Sequence, residues 1–364
     1  MSGTGDSVEV DVGVTVREGR HERHEGRTMS LPTRMLAWQV TELGDPVEVL
    51  QRVDVPVPRP GPDQVLVEVW STALNFPDVL LARGQYQERP TLPFTPGVEF
   101  CGMVVAVGTG VDAHRVGERV VGIAALPHGA LARYAVAAAA DVLPAPSGLD
   151  DMHASAFHLS YQTAWFGLYR RAGLRVGETL LVHAAVGGTG SAAVQLGRAA
   201  GARVIAVVGG PFKALAAQEL GADVVVDRTR DDVVAAVRAA TEGKGVDVVF
   251  DPVGGASYDL STKLIAFEGR IVVVGFTSGG IPQPPLSHAL VKNYSILGLH
   301  WGLYRAKDPA AVRRCHDELL GLVSVGAVQP LVADQLPFDD APAGLARLAA
   351  GQVVGRLTVA PPTD

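Results

Sequence analysis

The sequence is short of several things, and each shortage closes off a class of function. Of its 364 residues only two are cysteine, Cys101 and Cys315. Two thiols exclude a disulfide framework and any metal site built on several thiolates, and they suit a reducing cytoplasm. Positive charge is in deficit, with 31 Lys+Arg against 38 Asp+Glu and a formal net charge of -7. Such a field repels a phosphate backbone, so nucleic acid is not expected as a partner. Long hydrophobic runs are missing too. Stretches such as "ARVIAVV" fall far short of the roughly 20 apolar residues of a membrane-spanning helix, so no membrane partner is expected. Residues 1–28 are polar and carry no apolar segment of the signal-peptide kind; they read as a flexible extension.

What is present is a turn-rich compact chain, 48% hydrophobic and 19% charged, with 42 Gly and 24 Pro. Its length suggests two domains at roughly 100 to 200 residues each. From Met35 to about Asp141, short alternating strands are separated by Pro and Gly: "RMLAWQVTELG", "QVLVEVWSTAL", "GMVVAVGTG", "ERVVGIA" and "ARYAVAA". This is the pattern of a β-rich, barrel-like domain. From Leu180 the rhythm changes. The runs "TLLVHAA", "ARVIAVV", "DVVVD", "DVVFDPV" and "RIVVVGF" alternate with helical patterns starting near Ser191, Pro211, Asp231 and Ser257. Strands alternating with helices at this spacing predict an α/β fold, a doubly wound parallel Rossmann sheet. A further strand "SILGLHW", a helix "PAAVRRCHDELLGLVSVG" and a strand "GRLTVAP" follow. They are expected to return to the β-rich domain and make it discontinuous, with residues 29–157 and 298–364 forming that domain and 158–297 the Rossmann domain.

The stretch "LLVHAAVGGTG" carries the first chemistry. Ala185, Gly187, Gly188, Thr189 and Gly190 follow a strand and open a helix within a βαβ unit, the context that makes a glycine pattern a dinucleotide fingerprint. Ala185 stands at the first glycine position, which is tolerable where φ stays negative. Gly187 lets backbone approach a pyrophosphate, Gly190 lets helix and strand pack closely, and the helix N-terminus offers free N–H groups. The second strand of such a unit commonly ends in an acid that accepts from the adenosine ribose. Here "VVGGPFK" ends it, with no Asp or Glu from 207 to 213. Gly209 stands at that end, and Lys213 and Arg228 lie within reach of a 2′-phosphate, which favours NADPH over NADH. The alternative, two solvated surface cations, stays open.

The segments "NFPDVLLARGQYQERPTLPFTPGVEFCGMVVAVG", "VGERVVG", "LLVHAAVGGTG" and "FDPVGG" resemble the medium-chain dehydrogenase/reductase superfamily, and within it the zinc-independent quinone oxidoreductases. The likeness runs from Met35 to Pro361 and implies a GroES-like catalytic domain beside the Rossmann domain. The zinc-dependent branch has a Gly-His-Glu motif, which here reads Gly97-Val98-Glu99, and Asn75 stands near its cysteine ligand. The ligand set is therefore missing, and no metal is expected; His128, His158 and His300 are isolated in sequence.

The resemblance also implies a site. Asn75 is expected at the nicotinamide ribose and substrate, and Tyr86 as a proton or oxyanion donor. Leu80, where several quinone reductases carry tyrosine, makes the pocket wall apolar. Thr163 matches a threonine that bonds the carboxamide, its alternative being a bond to its own helix backbone. Asp251, Gly254, Gly275, Phe276, His300 and Trp301 are expected to border the cofactor, with Phe276 also in the substrate pocket and Arg356 near the phosphates. Without a Lewis acid the acceptor must take hydride readily, as quinones and α,β-unsaturated carbonyls do. The resulting expectation is an NADPH-dependent quinone oxidoreductase, cytoplasmic and homodimeric through "SILGLHW". Two alternatives stand beside it: a 2-enoyl thioester reductase, for which Arg83, Arg89 and Arg305 would have to form a basic entrance, and a non-catalytic NADPH-binding protein.

Overall fold

The structure, a computed structural model, describes residues 31–362, so the extension 1–28 lies outside the described residues. In chain order the strands are β1 Arg34–Val40, β2 Leu50–Pro56, β3 Gln64–Ala73, β4 Glu99–Val107, β5 Arg119–Ile123, β6 Tyr134–Ala138, β7 Val142–Pro144, β8 Thr179–His183, β9 Arg203–Val208, β10 Val224–Asp227, β11 Val246–Asp251, β12 Ile265–Val273, β13 Ser295–Gly298, β14 Val332–Leu336 and β15 Arg356–Val359. They form a hairpin of β1 and β2, a seven-stranded sheet and a six-stranded sheet.

The six-stranded sheet runs β10-β9-β8-β11-β12-β13, and every neighbouring pair is parallel. Counted from β8, this is the 3-2-1-4-5-6 order of a Rossmann sheet, with the order reversing between β8 and β11. Its strands are apolar on consecutive residues because both faces are covered. Leu180, Val182, Val204, Ala206, Val248 and Phe250 pack on one face with the helix Gly188–Ala199. Leu181, Ile205, Val249 and Ile271 pack on the other with Val233, Val237 and Leu264. The first of these cores also takes in Cys101, Val121 and Leu143 from the seven-stranded sheet, so one continuous apolar body joins the two sheets.

The seven-stranded sheet is ordered β14-β15-β3-β4-β5-β7, with β6 also on β3. The chain end is sewn in beside β3, Thr358 opposite Ala73, which brings residues 355–356 close to the exit of β3 at Asn75.

Three sequence expectations need correction. The strand in "SILGLHW" does not return to the β-rich sheet: β13 pairs with β12, ends at Gly298, and leaves His300 and Trp301 at the start of the helix Trp301–Lys307. The helix Pro309–Ser324 also stays with the parallel sheet's core, where Leu319 and Val323 join Phe157 and Ala164; β14, the helix Ala341–Ala349 and β15 return. The first Rossmann helix starts at Gly188, three residues before Ser191, so Gly188 and Gly190 lie inside its first turn. Strand β2 was not anticipated; its sequence LQRVDVP leaves four of seven residues exposed, without a continuous apolar run.

Candidate active site

The glycine turn sits at the C-terminal end of β8, at the edge of the reversal point. Its one left-handed residue is Ala184, at φ 48°, while Ala185 is fully buried and avoids positive φ. Gly187 caps the helix at φ -80°. These glycines are therefore kept for space rather than for turning. A Cβ on Gly190 would overlap the Ala184 carbonyl, and one on Gly188 would come within 2.6 Å of Arg356 Cδ. Behind the turn, Gly355 N–H donates to the Val186 carbonyl at 2.6 Å. The first N–H groups of the helix Gly188–Ala199 have no carbonyl of their own helix to meet, which makes this end an anion cradle.

A buried polar cluster lies next to it. Arg356, 5% exposed, donates Nη2 to Glu99 Oε2 at 2.8 Å and Nη1 to Ser160 Oγ. Glu99, fully buried, also accepts from Asn75 Nδ2 at 3.1 Å and from Leu159 N–H at 2.7 Å. Asp78, fully buried in the helix Phe76–Ala82, accepts from the backbone N–H groups of Asn75, Gly97 and Val98. Burial pushes its pKa up to about 6, against those hydrogen bonds and the Arg356 charge. Asn75 is thus held by two acids, its backbone by Asp78 and its side chain by Glu99. Arg356 was expected near the cofactor phosphates; it lies against Gly188, with its guanidinium committed to Glu99 and Ser160. Glu99, Asp78 and Ser160 were not anticipated as site residues.

The other end of the turn region is open. Arg228 folds over Gly209, its guanidinium 3.0 Å from where a Cβ would stand. Lys213 Nζ donates to the Gly351 carbonyl at 2.6 Å, and burial followed by the neighbouring Arg228 charge lowers its pKa. The expectation that no carboxylate reaches this end needs correction. Asp227, from the end of β10, accepts Gly210 N–H at 2.7 Å and the N–H and hydroxyl of Thr229. Those bonds take one oxygen; the other is shielded from solvent and without a partner among the described residues.

The remaining expected residues divide. Asp251 caps the turn after β11, accepting from Val253 and Gly254 N–H groups at 2.8 and 3.0 Å. Phe276, partly exposed, lies over Gly254, where a Cβ would approach it to 2.8 Å, and Gly275 packs beside the Pro252 carbonyl. Thr163 makes no side-chain hydrogen bond among the described residues, unlike Thr241, which bonds the Val237 carbonyl of its own helix. Tyr86 and Leu80 are half-buried. Burial, then the charges of Glu88 and Asp78, raises the Tyr86 pKa. His300 is exposed, but Trp301 is packed away: its indole N–H donates to Gln162 at 3.1 Å and its ring stands edge-on to His158. Trp301 is therefore a core side chain rather than an open wall.

Residues 61–147 match the alcohol dehydrogenase GroES-like domain, and residues 188–317 the zinc-binding dehydrogenase family. A quinone oxidoreductase-like protein 2 homolog from Nematostella vectensis is 38% identical over 300 residues, 82% of this chain and 81% of that one. The crystal structure of a probable oxidoreductase from Mycobacterium abscessus superposes with a TM-score of 0.82 at 35% identity, covering 91% of this chain and all of that one. A mycobacterial protein solved in complex with NADPH gives 0.83 at 32% identity, covering 90% of this chain and 100% of its own. Fold and site together define a medium-chain dehydrogenase/reductase, an oxidoreductase with a Rossmann and a GroES-like part. Within that superfamily the chain belongs to the zinc-independent quinone oxidoreductase-like family.

The zinc in that family description does not fit these residues. A metal-binding Glu99 would have to give up a guanidinium at 2.8 Å, and Asn75 already spends its amide on Glu99 and on the Ala73 carbonyl. Among the described residues, no three His, Cys, Asp or Glu side chains are grouped to hold one ion.

Proposed function

We propose that this chain is an NADPH-dependent reductase of quinones and other activated carbonyl compounds, built as a catalytic part of residues 29–157 completed by β14, the helix Ala341–Ala349 and β15, and a cofactor part that runs from residue 158 through the helix Pro309–Ser324. The observation that carries the cofactor assignment is the convergence of Lys213 and Arg228 beside Gly209 at the end of β9, one strand from the glycine turn. The NADPH-bound mycobacterial relative supports it. The residues fit the dinucleotide: Ala185, Gly187, Gly188, Thr189 and Gly190 leave room for a pyrophosphate at a helix N-terminus. Lys213 and Arg228 offer charge to the 2′-phosphate, with one oxygen of the Asp227 carboxylate turned onto Gly210 and Thr229. Asp251, Gly254, Gly275 and Phe276 border the nicotinamide half, and Thr163 keeps a free hydroxyl for its carboxamide.

Bound NADPH supplies hydride to the acceptor. The protein positions and shields. Asn75, fixed by Glu99 and Asp78, orients the ribose and acceptor, Leu80 and Phe276 exclude water, and Tyr86, kept protonated by its raised pKa, donates to the oxygen that gains charge. A basic entrance for a thioester carrier finds little support, since Arg83 is paired with Asp45 and Arg305 with Asp141. Both cysteines are buried and free, which suits the cytoplasm. A homodimer through β13 is supported by the adjoining helix Leu286–Lys292, whose Leu286, Leu290 and Val291 are all exposed; light scattering checks it.

Steady-state turnover of 1,2-naphthoquinone against crotonyl thioester tests the assignment. Faster quinone reduction with NADPH than with NADH is expected, and a preference for the thioester overturns the substrate class. Negligible oxidation across quinones and enones, with tight binding, would leave a non-catalytic NADPH-binding protein. Tyr86→Phe should lose roughly 100-fold or more with enones and little with quinones; unchanged rates with both remove Tyr86 as a donor.

A further inference from the structure

The six residues 351–356 touch both ends of the candidate site. They leave the helix Ala341–Ala349 through Gly351, whose carbonyl takes the Lys213 ammonium at 2.6 Å. Val353 packs into the core of the β-rich part, with Leu74 and Leu357. Its neighbour Val354 packs against the core that holds Leu180 and Val186. Gly355 N–H then donates to Val186 at 2.6 Å, pairing the segment with the glycine turn at Gly187. The backbone here leaves no room, since a Cβ on Gly355 would overlap the Leu331 carbonyl. Arg356 follows at once, against Gly188 and bonded to Glu99, which holds Asn75. A short strap thus runs from the Lys213 ammonium to the Asn75 amide with a packed or hydrogen-bonded contact at nearly every residue.

We propose that segment Gly351–Arg356 is a positioning relay, through which contact of Lys213 with the 2′-phosphate of the cofactor tightens Glu99 and Asn75 at the reacting end. The proposal rests on the NADPH reading above. An ammonium has three N–H donors, so Lys213 keeps the Gly351 carbonyl while meeting a phosphate, and the phosphate gains a firm link to the strap. Binding energy collected at a remote, non-reacting phosphate is then expressed as order at the reacting groups, where it raises kcat rather than only lowering KM. Lys213 and the strap residues act through Glu99 and Asn75 and touch no reacting atom.

Hydrogen exchange of the full chain, read by mass spectrometry with saturating NADP+ or NAD+, tests this. In the wild type, NADP+ should slow exchange in peptides spanning residues 351–358 and 73–78 by on the order of tenfold more than NAD+ does. Lys213→Met should erase that difference. Gln352→Gly, at an exposed position whose side chain makes no hydrogen bond among the described residues, so that the change only loosens the strap, should still bind NADP+ in preference to NAD+ by calorimetry. It should nevertheless lose the extra protection at 73–78 and the NADPH advantage in kcat. Equal protection by the two dinucleotides, with NADP+ still binding more tightly, overturns the relay and leaves the NADPH reading standing. Equal affinity for NADP+ and NAD+ in the wild type overturns the NADPH reading and the relay with it.

Discussion

The two ends of the candidate site are built on opposite electrostatic plans. At the reacting end, Arg356, Glu99 and Asp78 are shut away from water and bonded to named partners, with only the Arg356 Nε left without one among the described residues. At the adenosine end, Arg228 is exposed over Gly209 and Lys213 is half-buried, with solvent in reach of both. Buried charges fix geometry, because breaking one pair strands the other partner in a medium that cannot solvate it. Exposed cations are cheap to alter and respond to what approaches them. The comparison says that stability is invested where hydride must be aimed, and that selectivity sits where its loss costs the fold little.

The sharpest way to break this contrast is Arg356→Met. It leaves Glu99 buried with only Asn75 and Leu159 as donors, and a loss of about 3–5 kcal/mol is expected in urea unfolding. A loss below about 1 kcal/mol would mean that the pair is solvated and that the two ends do not differ in kind.

Asp78 sharpens the same end through pH. Its folded pKa, about 6, stands above the ordinary 3.8, so the folded state holds the proton more tightly than the unfolded one. Its contribution is fully present below the ordinary value and is lost as pH rises through about 6. The ionised acid then costs about 3 kcal/mol relative to the protonated one, in order of magnitude. Unfolding free energies of wild type and Asp78→Asn, compared across this range, should diverge with that sign. A pH-independent difference removes the argument.

Gly190→Ala tests the turn that joins the two ends. The new methyl meets the Ala184 backbone carbonyl rather than a flexible side chain, so about 1–3 kcal/mol of stability should be lost, together with dinucleotide affinity. Gly321→Ala, in the helix Pro309–Ser324 where an added methyl meets nothing, is the control that should do neither.

How much of this was legible in the sequence follows from the range of each interaction. The Rossmann sheet declared itself through consecutive apolar runs such as "LLV" and "VIAVV", which are local. Arg356 and Glu99 stand 257 positions apart, and no local pattern links them; the available signal was an acid inside the apolar run "GVEFCGMVV". Asp227 was missed for a different reason. The second strand itself ends without an acid from 207 to 213, yet in a parallel sheet the end of the third strand lies beside the end of the second, and Asp227 pairs with Val208. Strand order, once predicted, carried that neighbour. Trp301 was expected to border the cofactor, with "SILGLHW" read as one continuous strand, whereas β13 stops at Gly298 and the helix after it turns the indole inward.

The smallest effect expected is at the exposed end, and it separates the two plans most cleanly. Lys213→Met should weaken NADP+ binding by about tenfold, or about 1.4 kcal/mol, leave NAD+ binding unchanged and leave the unfolding free energy within about 0.5 kcal/mol of wild type. Salt should imitate the substitution. Between about 0.05 and 0.5 M the screening length shrinks severalfold, so the NADP+ preference should fall toward that of Lys213→Met by calorimetry. The cost of Arg356→Met should hardly move over the same range, because ions do not enter a pair that is 6% and 0% exposed. If salt weakened both alike, the charges at the reacting end would have to be reachable by water. The division between an end that aims and an end that selects would then lose its physical basis.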